Sequence, residues 1–327
     1  MSRSSSGREG GDEGRAERAP ALVTDPFDAL HGLAPLRTAA RAGDWAATQD
    51  FFAGLDSVDK TSVAVGAFGG IDGTETYLEK AVAARPGDPL PRTLLAERYI
   101  RIGWEIRSGA RAEHVSRDQF AEFHSWLRKA EQLLIEVCAE QPAYAPAWTA
   151  RITLARGLQL GQSETRRRYD RLSAHHPHHF SAQAQLLQQV CPKWGGSWED
   201  AHGFAQECAA SAPDGSHAGI LVAEAHIEHW LELEGSEATA YMRGVPVRDD
   251  LRHAALVSVL HSAYRQDWHW ITGHSTFALA FSLGGHLEDA ARHFAALGNT
   301  ASASSWQYLG DWQSRFMKFR KAALATL

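Results

Sequence analysis

Glu224, His226, Glu228 and His229 crowd into the stretch "AEAHIEHW" (223–230), bringing together the side chains of acid–base and metal chemistry. Helical phasing separates them. With Ile220 at zero and 100° per residue, Ile227, Trp230 and Leu231 form an apolar stripe from about 280° to about 20°. Glu224 lies on its edge near ~40°, whereas His226 and His229 fall near ~240° and ~180°. Glutamate and histidines therefore face different sides of one helix and cannot chelate one ion within it. The H-E-x-x-H spacing of zinc proteases and the Glu-x-x-His pair of di-iron bundles are both absent. Glu224 reads first as a satisfied carboxylate at a buried edge, and second as a functional acid or ligand group.

Three other stretches carry reactive or ligand-gripping side chains. "HHPHH" (175–179) has the composition of a metal tract, but it straddles Pro177, so its imidazoles cannot share a helical face and no shaped metal site is expected. "DWHWITGHSTFALAF" (267–281) places Trp268, His269, Trp270 and His274 ahead of a helix that is apolar nearly all round and therefore buried. "CPKWGGSWEDA" (191–201) combines a thiol, Pro192, two tryptophans and Gly195-Gly196. It reads first as an elbow in which proline stops one helix and the glycines reverse the chain. Its second reading is an aromatic wall of Trp194 and Trp198 with Lys193 reaching across. No Gly-rich phosphate loop, G-x-S-x-G elbow or Cys–His signature is present, and "GAFGGIDG" (66–73) reads as a flexible connection.

The elements that must position these residues show in the prolines. Pro142, Pro177, Pro213 and Pro246 are spaced 35, 36 and 33 residues apart, each between two helical-looking segments. A second break falls inside each unit, at "LGQSE" (160–164), "KWGGSWED" (193–200) and "ELEGSEA" (232–238), with Ser163 and Ser197 as expected N-caps. The interval from Pro86 to Pro142 is longer, and longer helices plus the polar joint "RSGARAEHVSR" (107–117) account for it. The pattern predicts repeated helical hairpins.

Composition sets the outer limits. The chain has 327 residues, 44% of them hydrophobic, and a net charge of −6 without a concentrated basic face, which argues against a dedicated nucleic-acid binder. The basic run Arg166-Arg167-Arg168 reads as a solvated helix face, with an acidic or phosphate-bearing partner as the rival. Cys138, Cys191 and Cys208 form no C-x-x-C pair, which suggests a reducing, cytoplasmic setting. No stretch approaches 18 apolar residues, so no membrane association is expected. Residues 1–25 read as a disordered leader and 26–327 as one repeat domain. Arginine far exceeds lysine and alanine is abundant, which suggests a bacterial origin.

"LGGHLEDAARHFAAL" (283–297) carries Gly285 at a turn, Ala290 at a close-packing position and Phe294 four residues on, and "AARAGDWAATQDFFAGL" (39–55) repeats the turn logic. These segments, the Lys193-Trp194-Gly195-Gly196-Ser197 joint, the "HSTFALAF" helix and the late Trp306-x-Tyr308 together resemble a family of uncharacterised bacterial tetratricopeptide-like (TPR-like) proteins. His286 stands where that family commonly has Asp, and Ser305 where it has Pro. The resemblance implies an all-α TPR-like solenoid of helical hairpins, either a right-handed superhelix or a compact arc, without a known activity.

A stack of hairpins leaves a concave surface suited to a peptide or partner helix. The expected groove residues are Glu97, Arg101, Trp104, Arg151, Trp194, Glu224, His226, Trp230 and His274. The function expected is a protein- or peptide-binding scaffold without catalysis or cofactor. The alternative is an enzyme whose pocket between repeats uses Glu224 with His253, His261 or His274, around a metal in one version. The C-terminal helix "WQSRFMKFRKAALATL" (312–327) is expected to cap the stack, with docking on another molecule as its alternative.

Overall fold

Prolines, polar caps and glycines delimit seventeen α-helices in a computed structural model that describes residues 21–108 and 115–327. Among the described residues, the extended pairing is confined to one isolated bridge between Val23 and Thr300. The first five helices are short: α1 (Pro26–Ala29), α2 (Ala34–Ala42), α3 (Trp45–Ala53), α4 (Val58–Gly69) and α5 (Glu75–Ala84). Two long ones follow, α6 (Pro89–Arg107) and α7 (Arg117–Glu140), which take up the long interval before Pro142; residues 109–114 of the polar joint lie outside the described residues. Asp88 caps α6, and α7 opens with a reciprocal box between Ser116 and Gln119.

Each of the next three prolines precedes the first helix of a hairpin. Pro142 precedes α8 (Ala145–Gly157), which packs on α9 (Gln162–Ser173); Pro177 precedes α10 (Phe180–Val190), which packs on α11 (Trp198–Ser211); Pro213 precedes α12 (Ile220–Glu232), which packs on α13 (Gly235–Arg243). The fourth departs from the pattern. Pro246 sits in the first turn of α14 (Val245–Val257), an extra helix packed against α12, α13 and α15 (Trp270–Leu283). α15 then pairs with α16 (Leu287–Leu297), and α17 (Trp312–Leu324) packs on α16 with Phe316 buried against Phe294 and Trp306, as a cap would.

Glycine sets how closely the helices approach where it matters for the cavity described below. Leu127 of α7 wedges between Gly103 of α6 and Gly157 of α8, whose hypothetical Cβ atoms would lie 3.2 and 2.5 Å from its methyl carbons. That close approach fixes the neighbouring Trp104 and Arg156. The elbow at 191–197 is built as the residue types require: a 3₁₀ turn over Pro192–Trp194, Gly195 at φ 86°, and Ser197 accepting the Asp200 N–H at 3.0 Å. At Gly196 any Cβ would fall 1.9 Å from the Val190 carbonyl oxygen.

The first described segment meets the chain around Trp268 and Asn299. Val23 N–H donates to the Asn299 carbonyl at 2.8 Å, Trp268 Nε1–H donates to the His31 carbonyl at 3.2 Å, and Phe51 stacks on Trp268 at 6.3 Å. α4 crosses to α6, α8 and α10. The N-termini of α10, α12 and α15 gather at that side, where Phe180 touches His217 and His269. The leader expected over 1–25 falls outside the described residues up to residue 20, and Val23 and the α1-capping Asp25 are already engaged.

Several local expectations need correction. Ser163 is not an N-cap: α9 begins at Gln162 after Gly161, whose φ of 87° no L-residue adopts easily. "GAFGGIDG" is no loose connection, because α4 runs through Gly69, where a Cβ would meet Glu97 Cγ at 2.8 Å, before a short turn. Arg168 is not on a solvated face. It is buried, with its guanidinium donating to Glu131, Glu164 and the Arg151 carbonyl.

Candidate functional site

A cavity of about 1130 Å³ lies between the C-terminal halves of α6, α8, α10 and α12, on the side away from the gathered N-termini. Glu97, Arg101 and Trp104 come from α6, Arg156 from α8, Gln185 and Gln188 from α10, Lys193 and Trp194 from the elbow, and Glu224 and Glu228 from α12. The spacing explains the set. Residues four apart on one helix share a face, so 97–101, 184–188 and 224–228 each look inward together. Tyr308 lines the rim from the 3₁₀ turn 305–309, ahead of α17, and is itself half exposed. It is placed there by Trp306, whose indole is fully buried between Phe294 and Phe316 and donates to the Ser275 carbonyl at 2.9 Å.

Hydrogen bonds stiffen one wall of the well. Arg156 donates to the Gln185 carbonyl at 3.0 Å and to its side-chain oxygen at 2.7 Å, and Thr153 donates to that same oxygen at 3.0 Å. Gln162 donates to the Gln189 carbonyl at 2.7 Å and to the Trp194 carbonyl at 3.0 Å, holding the elbow against α10. Trp194 stands at 90° to Trp104 with ring centres 6.4 Å apart, and Trp104 continues onto Phe123 at 4.9 Å. The aromatic wall and the elbow are therefore one structure.

The charges of the well divide into satisfied and unsatisfied ones. Glu228, whose side chain is 6% exposed, accepts from Lys193 Nζ at 2.5 Å and from Gln188 Nε2 at 2.8 Å. Glu224 and Glu97 accept no hydrogen bond from any described residue. Burial pushes the Glu224 carboxyl up to about 8, and the Glu228 charge adds to the effect. Burial pushes Glu97 up to about 7 against the opposing pull of Arg101. Arg156 is pushed down to about 10 by burial and so stays charged at neutral pH.

Of the nine expected groove residues, Glu97, Arg101, Trp104, Trp194 and Glu224 line this well, and four do not. Arg151 is buried among α7, α8 and α9, donating to Glu131 at 2.8 and 3.2 Å; its charge drew it to an acid in the core. His226 faces the α13 side, where Nδ1 meets the Tyr241 hydroxyl at 2.7 Å and the ring lies 4.8 Å from His202. Trp230 is half-buried and packs on the core away from the well. His274 is buried within the apolar helix, Nδ1 to Nδ1 with His293 at 3.0 Å. Arg156, Gln185, Gln188 and Glu228 were not among the expected residues, although Glu228 follows Glu224 by one helical turn and shares its face. Tyr308 lies in the Trp-x-Tyr of the resemblance, but no helical phase predicts its direction.

Among the described residues, the other histidines are either tied into the fold or exposed. Ser62, His179 and Asp59 have the composition of a catalytic triad but not its geometry. His179 Nδ1 accepts the Ala182 N–H at 3.2 Å as the N-cap of α10, so Nε2 carries the proton and donates to Ser62 Oγ at 2.9 Å. Asp59 lies 3.7 Å from that same Nε2, and such an imidazole cannot take the serine proton. In "HHPHH", His176 reaches the Ala143 carbonyl at 2.9 Å while His175 and His178 are exposed. Among the described residues no group of three or more His, Cys, Asp or Glu is placed to hold a metal ion, and no helix is long and apolar enough to cross a membrane. No family model, curated protein or solved structure matches the chain.

Proposed function

We propose that this protein is a binding module of TPR-like helical hairpins, without catalysis of its own, whose well receives a segment of a partner protein or a peptide. The observation that supports this is the well itself. Side chains from four successive hairpins and the elbow converge on one concave cavity that combines an aromatic wall with a largely polar and charged lining, some of it fixed by hydrogen bonds. Stacked hairpins present this concave side to partners. The three cysteines are buried and free, in keeping with a reducing compartment such as the cytoplasm, and the sequence resemblance favours a bacterial source.

A benzophenone amino acid placed at Gln188, inside the well, and separately at the exposed His253 of α14 tests the reading by photocrosslinking in cells. Polypeptide adducts that form from position 188 and not from 253 are expected. Equal adducts from both positions refute it.

The enzyme reading retains one supporting feature. Glu224 and Glu97 are carboxylic acids held near neutral, the range for a general acid or base. Its histidine partners are not in place. His253, His261 and His274 do not line the well, so any chemistry there would rest on the carboxylates.

A further inference from the structure

The well's own polar groups indicate what charge an occupant must bring. Four cations line the well, Arg101, Arg107, Arg156 and Lys193, and the last two are committed to other residues of the wall. Lys193 is held by Glu228, and Arg156 spends its guanidinium on both oxygens of Gln185. Two acids remain. Glu97 and Glu224 face the cavity from opposite walls, α6 and α12, and neither accepts a hydrogen bond from any described residue. The two differ in their neighbours. Arg101 lies one turn from Glu97 and offsets its charge, whereas the acid Glu228 lies one turn from Glu224 and reinforces it.

Three further features point the same way. The well is lined from the C-terminal halves of α6, α8, α10 and α12, and the partial negative charge of a helix C-terminus favours cations near it. Trp194 and Tyr308 give the mouth aromatic faces, and each already has a protein cation over its ring, Arg156 at 5.8 Å and Lys193 at 5.8 Å. The tyrosine hydroxyl lies within the field of both Glu224 and Glu228. A cavity of about 1130 Å³ is far larger than one side chain, so its occupant extends past Glu224 along the aromatic wall.

We propose that the group received by the well is a cation, the ammonium or guanidinium of a basic side chain, which pairs with Glu224 and lies against Trp194 and Tyr308. This rests on the reading of the well as a peptide site and specifies the chemistry of its occupant. At Glu224 an anion would meet like charge, reinforced by Glu228, while Arg101 offsets Glu97 on the α6 side, and a neutral apolar group would leave the Glu224 carboxyl unpaired. Cation binding also draws the proton off Glu224, since only the carboxylate pairs with it. A carboxyl held near 8 makes the complex about fifty-fold tighter at pH 8 than at pH 6, with close to one proton released per complex at the lower pH.

The test uses the full chain and four probes: acetyl-Gly-Lys-Gly-amide, its Leu and Glu counterparts, and 1,5-diaminopentane. Saturation-transfer NMR measures binding at pH 6 and pH 8, and calorimetry in two buffers counts protons. The Lys peptide is expected to bind, to tighten with pH, and to lose at least tenfold in affinity in Glu224→Gln. Binding of the diamine without the Lys peptide keeps the cation and overturns the peptide reading. Leu or Glu peptides that bind as well as the Lys peptide, and weaken in Trp194→Ala, overturn the cation and leave the well a peptide site. Silence from all four probes overturns both. The wild-type pH dependence needs no variant and decides the matter even where Glu224→Gln misfolds: equal affinity at the two pH values refutes the proposal.

Discussion

Replacing Glu224 by Gln should stabilise the protein in alkali and leave it nearly unchanged in acid. The carboxyl titrates near 4.5 in the unfolded chain and near 8 when folded, so its destabilising effect grows from pH 4.5 upward and is complete above 8, where both states are ionised. Its favourable contribution is complete below pH 4.5, is lost as pH rises, and is gone above 8. At face value that displacement corresponds to about 5 kcal/mol. The side chain still reaches the water of the well, which screens part of the effect, and we take ~2 kcal/mol as the expected gain at pH 8.5. Urea unfolding of both proteins at pH 4.5 and pH 8.5 reads it directly. A variant that is equally or less stable than wild type at pH 8.5 would refute the claim that an uncompensated carboxyl sits there.

Three further outcomes follow from other parts of the molecule. Gly196→Ala should cost about 3–5 kcal/mol in urea unfolding, because its Cβ would collide with the Val190 carbonyl; a loss under ~1 kcal/mol would mean the elbow is not built as described. Glu131→Ala strands the buried guanidinium of Arg151 and leaves Arg168 with only Glu164 and the Arg151 carbonyl, and should also cost about 3–5 kcal/mol; a neutral result would show that water satisfies Arg151. Burial lowers His179, His202, His226 and His274 to about 4 and His269 to about 3, so the unfolded chain binds protons first as pH falls below 6.5. These five outweigh the opposite trend of Glu97 and Glu224, and stability should drop by at least ~3 kcal/mol from pH 6.5 to 4.5; a flat profile would contradict their burial in the neutral form.

Much of the hairpin order was legible because proline and glycine constrain the backbone locally. Pro142, Pro177 and Pro213 precede first helices, and Gly195, Gly196 and Ser197 build the elbow they announce. Pro246 misled because starting a helix is a local property, whereas opening a hairpin depends on packing, and α14 packs as an extra helix against α12, α13 and α15. Phasing of one helix placed Glu224 apart from His226 and His229 correctly, since 100° per residue holds along a straight helix. It failed for Arg151, whose direction is decided by Glu131 twenty residues earlier on another helix. Tyr308 was beyond reach for the same reason. Its position follows from Trp306 seating itself on Ser275, a contact across 31 residues of chain.

The central claim is that the well between α6 and α12 holds the partner, and native mass spectrometry of gently purified protein tests it most directly. Wild type is expected to carry a bound polypeptide that the Trp104→Ala, Trp194→Ala double variant lacks while remaining folded. The same adduct on both proteins would place the partner elsewhere and contradict the account.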